Sequence, residues 1–204
     1  MIDLLSVGLF TLAALALLGS PGPAIAALLA IGRSHGVAIG LRFYLGLQIG
    51  LAVAAGATAG GLLSLIETIP FAMTAMSLAA AAYLVWLAWK IASAPVGDDL
   101  AASREASPTI GGGILLGLTN PKAYIAFASL FAAYRLSPDG ALDMKVKWAL
   151  CIVVMVVVDI IWLWLGAVLG RVRLEAVNER RLNACFGLII LATAILSLVE
   201  LAGK

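Results

Sequence analysis

Lys122 stands in the middle of a run, residues 106–134, that is otherwise free of charge, and Asp159 stands similarly within the run 148–170. A charge at the centre of an apolar span costs about 2.5–3.5 kcal/mol on insertion scales, so it marks a partner, a ligand or an ion path. An ammonium at Lys122 suits a carboxylate. A carboxylate at Asp159 suits an amine or a proton. A Lys122–Asp159 pair would neutralise both, either as a purely structural ion pair or with Lys122 facing a ligand carboxylate and Asp159 serving proton coupling or amine binding. The residues themselves leave these alternatives open.

Two proline breaks lie beside this chemistry, Ser20-Pro21-Gly22-Pro23 and Asn120-Pro121-Lys122. Proline removes one amide donor and frees a carbonyl a turn back, a fault that survives in lipid only where protein or a water-filled cavity surrounds it. Ser20 before Pro21 and Asn120 before Pro121 each read as an N-cap followed by proline at the first helical position. Each therefore predicts a fresh half-helix whose free N–H groups point into the break, a place for a carboxylate or phosphate. Gly22 permits close approach of a ligand, and Pro23 completes the first break.

The elements that must position these residues follow from hydropathy. The chain has 204 residues, 63% of them hydrophobic and 12% charged, with a mean hydropathy of +1.11. Lipid must be the solvent for most of such a chain. Uncharged runs at about 4–32, 43–66, 68–89, 106–134, 148–170 and 182–199 each meet or approach the ~20 residues that cross a bilayer. The expected fold is all-α, with six transmembrane helices of which the first and fourth are broken. It forms a single integral membrane domain over 1–204, with halves of about 1–92 and 108–204 and a cytoplasmic linker of about 93–107. The first run lacks a basic flank and is too long for a cleavable signal, so it reads as a retained span.

Lys and Arg near the span ends set the orientation. Arg33, Arg42, Lys90, Arg104, Arg171, Arg173, Arg180 and Arg181 fall on one side, against Arg135, Lys145, Lys147 and Lys204 on the other. Both termini are therefore expected outside the cytoplasm. Residues 14–27 set above 114–127 align Leu18-Gly19-Ser20-Pro21 with Leu118-Thr119-Asn120-Pro121, and Ile25-Ala26 with Ile125-Ala126. With three spans per half, the second copy enters from the opposite face, a 3+3 inverted-topology repeat of the kind that supports alternating access.

The other polar residues carry less. Gln48, deep in the second span, reads as an interhelical hydrogen-bond donor with a lesser claim to lining a ligand. His35 reads as an exposed interfacial residue of a basic link in preference to a proton relay, and Asp3 and Glu67 as span ends. Cys151 and Cys185 lack metal or redox spacing and read as small buried residues. Tyr83, Trp86, Trp89, Trp162 and Trp164 suit interfacial belts and lipid-facing packing. The pairs Gly36/Gly40, Gly46/Gly50, Gly56/Gly60, Gly113/Gly117 and Gly166/Gly170 allow close helix contact, within the chain in preference to a homodimer. A net charge of +2, with no basic cluster among aromatics, argues against nucleic acid. No Ser/His/Asp grouping, HExxH or paired membrane carboxylates point to an enzyme. One His, two separate Cys and one central Asp are a poor donor set for a metal cation, the alternative cargo besides other small solutes. No cofactor is implied.

The chain resembles the lysine exporter (LysE/RhtB) family of bacterial amino-acid efflux proteins. The resemblance covers nearly the whole chain. It lies in Gly19-Ser20-Pro21-Gly22-Pro23, the series Gly32, Gly36, Gly40, Gly46 and Gly50, the stretch Ala82-Tyr83-Leu84-Val85-Trp86-Leu87-Ala88-Trp89-Lys90, and Gly117-Leu118-Thr119-Asn120-Pro121-Lys122-Ala123. It implies a multi-pass inner-membrane protein that exports an amino acid or derivative by secondary active transport, driven by the proton gradient. Members often carry Asn just after Pro-Gly-Pro. This chain has Ala24, which removes a polar group from the implied site.

Overall fold

A computed structural model describes residues 2–20, 22–61, 68–69, 71–93, 108–171 and 176–202, and everything described is helix or helix connection. Among the described residues seven helices follow in order: α1 (Leu4–Leu18), α2 (Pro23–Ala59), α3 (Ala72–Ala92), α4 (Ile110–Thr119), α5 (Pro121–Ala133), α6 (Gly140–Gly170) and α7 (Ala176–Ala202). Among the described residues, α2 and α6 are each long and apolar enough to cross a membrane, and α4 with α5 makes a third candidate if that bent pair is one span.

Helix α2 corrects the expected spans. Its 37 residues would extend about 55 Å as one rod, far more than a bilayer core. It is not one rod. Gly36, with φ 73° and ψ 176°, breaks the helical path, and the contacts on either side run in opposite senses. Leu29 meets Gly166 and Arg33 meets Gly170, so residues 23–35 run parallel to α6. Tyr44 donates to the Val156 carbonyl (3.0 Å) and Trp148 to the Ala52 carbonyl (3.1 Å), so residues 37–59 run antiparallel to it. The expected link at 33–42 is thus helical apart from one glycine in the left-handed φ region, which glycine enters without the Cβ penalty. His35 consequently sits half-buried beside Ser34 instead of in an exposed loop.

Small residues let these helices touch backbone to backbone. A Cβ at Gly46 would lie 2.0 Å from the Ile110 carbonyl oxygen, one at Gly113 2.1 Å from that of Phe43, and one at Gly166 2.1 Å from that of Leu29. The second limb of α2 and α4 lie side by side, as do its first limb and α6. Gly56 and Gly60 do not join this contact: the first lies near Trp148 and the second ends the helix. Bulky side chains point the other way. Leu45, Ile49 and Val53 on α2, and Val153, Val157, Ile161 and Trp164 on α6, form exposed stripes at helical spacing, the pattern of a lipid-facing surface. Trp86 and Trp89 are exposed as well. Cys151 is buried, whereas Cys185 is exposed.

Three helix starts are capped by side chains: Asp3 accepts from Leu5 N, Thr109 from Gly112 N, and Asp139 from Ala141 N and Leu142 N. The Ser6 hydroxyl also donates to Asp3 (2.6 Å), holding its carboxyl below the ordinary carboxylate range. Asp139 starts α6 at Gly140, eight residues before the expected 148. Lys145 stays exposed, but Lys147 becomes a buried helix residue in place of a link charge. It pairs with Asp143 (2.6 Å) and donates to the Phe131 carbonyl (2.9 Å). Asp143 in turn accepts from Leu136 N and Ser137 N. This knot fixes the connection between α5 and α6, and Asp3 N donates to the Leu136 carbonyl (2.9 Å), tying the start of α1 to the same connection. Glu67 and the linker at 94–107 lie outside the described residues.

Candidate functional site

The two breaks meet. α4 and α5 bend by 54° at Asn120, which brings Lys122 on the first turn of α5 against the gap between α1 and α2. The Lys122 ammonium donates to the Ser20 carbonyl oxygen (2.6 Å) and to the Ser20 hydroxyl oxygen (2.8 Å). Its stem crosses Gly22 so closely that a Cβ there would lie 2.8 Å from Lys122 Cδ. Glycine at this position therefore supplies room for the lysine.

The second α-helical stretch does not start where the sequence suggested. α2 begins at Pro23 with Gly22 as its extended N-cap (φ −174°). Proline disfavours helical geometry in the residue before it, so the later proline of the pair sets the start. Ser20 does not cap this helix; its hydroxyl donates to the Leu17 carbonyl (2.8 Å). Pro21 lies outside the described residues. At the other break Pro121 opens α5 as expected, with Asn120 in the N-cap position, but the Asn120 side chain makes no capping bond. Its Oδ1 is buried and has no hydrogen-bond partner, in a residue only 4% exposed. The two helix starts facing this region therefore lack side-chain caps, whereas those of α1, α4 and α6 have them.

A hollow of about 390 Å³, its open side included, lies between the breaks. Its polar wall is Ser20, Asn120, Lys122 and Asp159, beside Gly22 and Pro23. Apolar walls come from Leu17 and Leu18 of α1, Ala24, Ile25 and Leu51 of α2, Ala123 and Ala126 of α5, and Met155 of α6. Pro121 is buried outside this lining.

Asp159 does not bridge to Lys122. Gln48 on the second limb of α2 donates its amide N–H to Asp159 Oδ2 (2.7 Å) and so holds the carboxylate from behind, itself outside the lining. The expected ion pair fails because each group has a nearer polar partner: Ser20 for the lysine and Gln48 for the aspartate. Among the described residues the salt bridge is Lys147–Asp143, on another part of α6. Gln48 is thus an interhelical donor, and its Oε1 is a buried oxygen with no hydrogen-bond partner.

One cation, one anion and two uncapped helix starts around a single hollow suit a small zwitterion. Uncapped N-termini favour negative charge, Lys122 adds to that, and Asp159 and Asn120 Oδ1 offer acceptors to an ammonium. Among the described residues no three His, Cys, Asp or Glu side chains gather as a metal site. Sequence reasoning missed Met155 and Leu51. Their signal was spacing, since Met155 lies one turn before Asp159 and Leu51 one turn after Gln48.

Comparison with known proteins gives a consistent picture. The sequence model of a family described as "LysE type translocator" matches residues 15–200. A "Leucine efflux protein" of Klebsiella pneumoniae subsp. pneumoniae is 33% identical over 118 residues, a match spanning 56% of this chain and 56% of that protein. A "Cysteine/O-acetylserine efflux protein" of Escherichia coli (strain K12) is 27% identical over 182 residues, 86% of this chain and 89% of that one. No solved structure matches the chain.

Proposed function

This chain belongs to the LysE type translocator family, and from that premise we propose that it is a secondary active exporter of an amino acid or amino-acid derivative across the bacterial inner membrane. The names of its relatives, efflux proteins for leucine and for cysteine or O-acetylserine, support this cargo. The observation that carries the reading is the meeting of the two helix breaks, Ser20 to Lys122, at a hollow walled by one ammonium and one carboxylate.

The substrate carboxylate sits between Lys122 and the free N–H groups at the start of α2, and its ammonium sits against Asp159 and Asn120 Oδ1. Asp159 then holds either the substrate ammonium or a proton. Mutually exclusive occupancy of one carboxylate is sufficient for proton antiport, because the empty carrier must take up a proton before it returns. Gln48 keeps the carboxylate aimed into the hollow throughout.

The architecture behind this is six spans in a 3+3 inverted repeat. α1 with the first limb of α2 is one broken span, and α4 with α5 is its counterpart. Chain directions support the scheme: the first limb of α2 is parallel to α6, and its second limb is parallel to α4 and antiparallel to α6. The bond from Asp3 N to Leu136 supports a scheme in which the N-terminus and the α5–α6 connection share one side of the membrane, the extracytoplasmic side by the charge bias. Gly46 and Gly50 are used in packing within the chain, so they offer no surface to a homodimer.

The test is amino-acid efflux from liposomes containing the purified protein. Lys122→Ala should abolish flux while the protein still inserts and elutes as a single species. Wild-type flux in that variant would remove the lysine from the site and the reading with it.

A further inference from the structure

We propose that the exported molecule is an amino acid with an uncharged, aliphatic side chain, an inference that rests on the exporter reading above and narrows its substrate. The argument is a match of groups across the hollow. Among the described residues the ionisable side chains in its wall are Lys122 and Asp159, and the α-carboxylate and α-ammonium of any amino acid complement them in charge, one to one. The Ser20 hydroxyl already donates to Leu17 and accepts from Lys122. Asn120 Oδ1, buried and without a hydrogen-bond partner, is an acceptor and takes the second proton of the same ammonium.

Among the described residues, the polar wall group then left is the Asn120 amide NH2, a donor. The rest of the wall is apolar: Leu51 and Met155, which are 4% and 2% exposed, face the hollow from α2 and α6, with Ile25 and Ala126 beside them. A lysine or arginine side chain would bring a second positive charge to a wall with one carboxylate. A glutamate or aspartate side chain would bring a second negative charge to a wall with one ammonium. Either meets a penalty of roughly 100-fold, comparable to that of one uncompensated charge in a membrane interior. A side-chain hydroxyl or thiol is rejected less strongly, at most about 100-fold, because an apolar pocket discriminates weakly against such additions. Met155 and Leu51 are the specificity-determining residues of this arrangement.

The experiment uses the full chain in liposomes of phosphatidylethanolamine and phosphatidylglycerol, loaded in turn with radiolabelled L-leucine, L-valine, L-serine, L-lysine or L-glutamate, with a proton gradient imposed. Leucine and valine should leave fastest, and lysine and glutamate roughly 100-fold more slowly. Met155→Ala should lower the ratio of leucine to alanine flux about 10-fold, a ratio that the amount of folded protein does not alter. Lysine, glutamate or serine leaving as fast as leucine would overturn the side-chain assignment while leaving the exporter reading intact. If none of the five amino acids moves, the exporter reading fails, and this inference falls with it.

Discussion

Gly22→Ala offers the sharpest probe of how the two breaks cooperate. The backbone tolerates the change, since an extended φ of −174° is open to any residue. The new methyl would lie 2.8 Å from Lys122 Cδ and 2.9 Å from Nζ, whereas ordinary contact starts at 3.4 Å. Lysine is flexible, so it yields and the fold survives. The retreat required is about 0.6 Å, which lengthens the ammonium bonds to Ser20 from 2.6 and 2.8 Å to about 3.2–3.4 Å, the edge of useful hydrogen bonding. Hydrogen bonds to charged groups contribute about 1.5–3 kcal/mol each, so displacing this ammonium should slow transport by roughly 10- to 100-fold. The assay compares initial efflux rates from liposomes, normalised to inserted protein, with the melting temperature of the purified protein in detergent. We expect a large fall in rate with a change in melting temperature of only a few degrees. A wild-type rate would refute the claim that lysine placement over Gly22 matters to transport.

Other predictions address coupling and packing. Asp159→Asn should leave residual substrate exchange but make net efflux insensitive to an imposed proton gradient; an unchanged pH response would leave Asp159 no coupling role. Gly46→Ala places a methyl 2.0 Å from the Ile110 carbonyl oxygen, and backbone cannot step aside as lysine can. It should destabilise the protein by at least about 1–3 kcal/mol, seen as aggregation in size-exclusion profiles; a monodisperse, equally heat-stable variant would contradict the close α2–α4 contact. Lys147→Met leaves the buried Asp143 carboxylate without its cation and should cost about 3–5 kcal/mol, read as a fall in melting temperature, and an unchanged melting curve would show that the knot contributes nothing.

Both breaks were legible in the sequence because proline and an uncompensated lysine are costly in lipid, and cost leaves a mark on composition. Asp159 was legible for the same reason. Its partner was not, because choosing between Gln48 and Lys122 depends on distances of a few ångströms between helices distant in sequence. The helix start at Pro23 could have been read from the constraint proline imposes on its predecessor, here Gly22. The Asp143–Lys147 pair was hidden by being counted as link charge, although its four-residue spacing is that of neighbours on one helix face. The reversal of direction at Gly36 falls inside the expected link at 33–42; what left little trace was that one glycine makes it within an otherwise helical stretch.

That turn has a mechanical consequence. Because residues 23–35 and 37–59 join through one glycine with no slack on either side, the two limbs behave as the arms of an elbow. The first arm begins at the uncapped start by Lys122, and the second carries Gln48, which grips Asp159. On the exporter reading proposed above, the limb that begins beside Lys122 and the limb that holds Asp159 through Gln48 meet at one residue, so a change of angle at Gly36 would move the anion end of the proposed site relative to its acid.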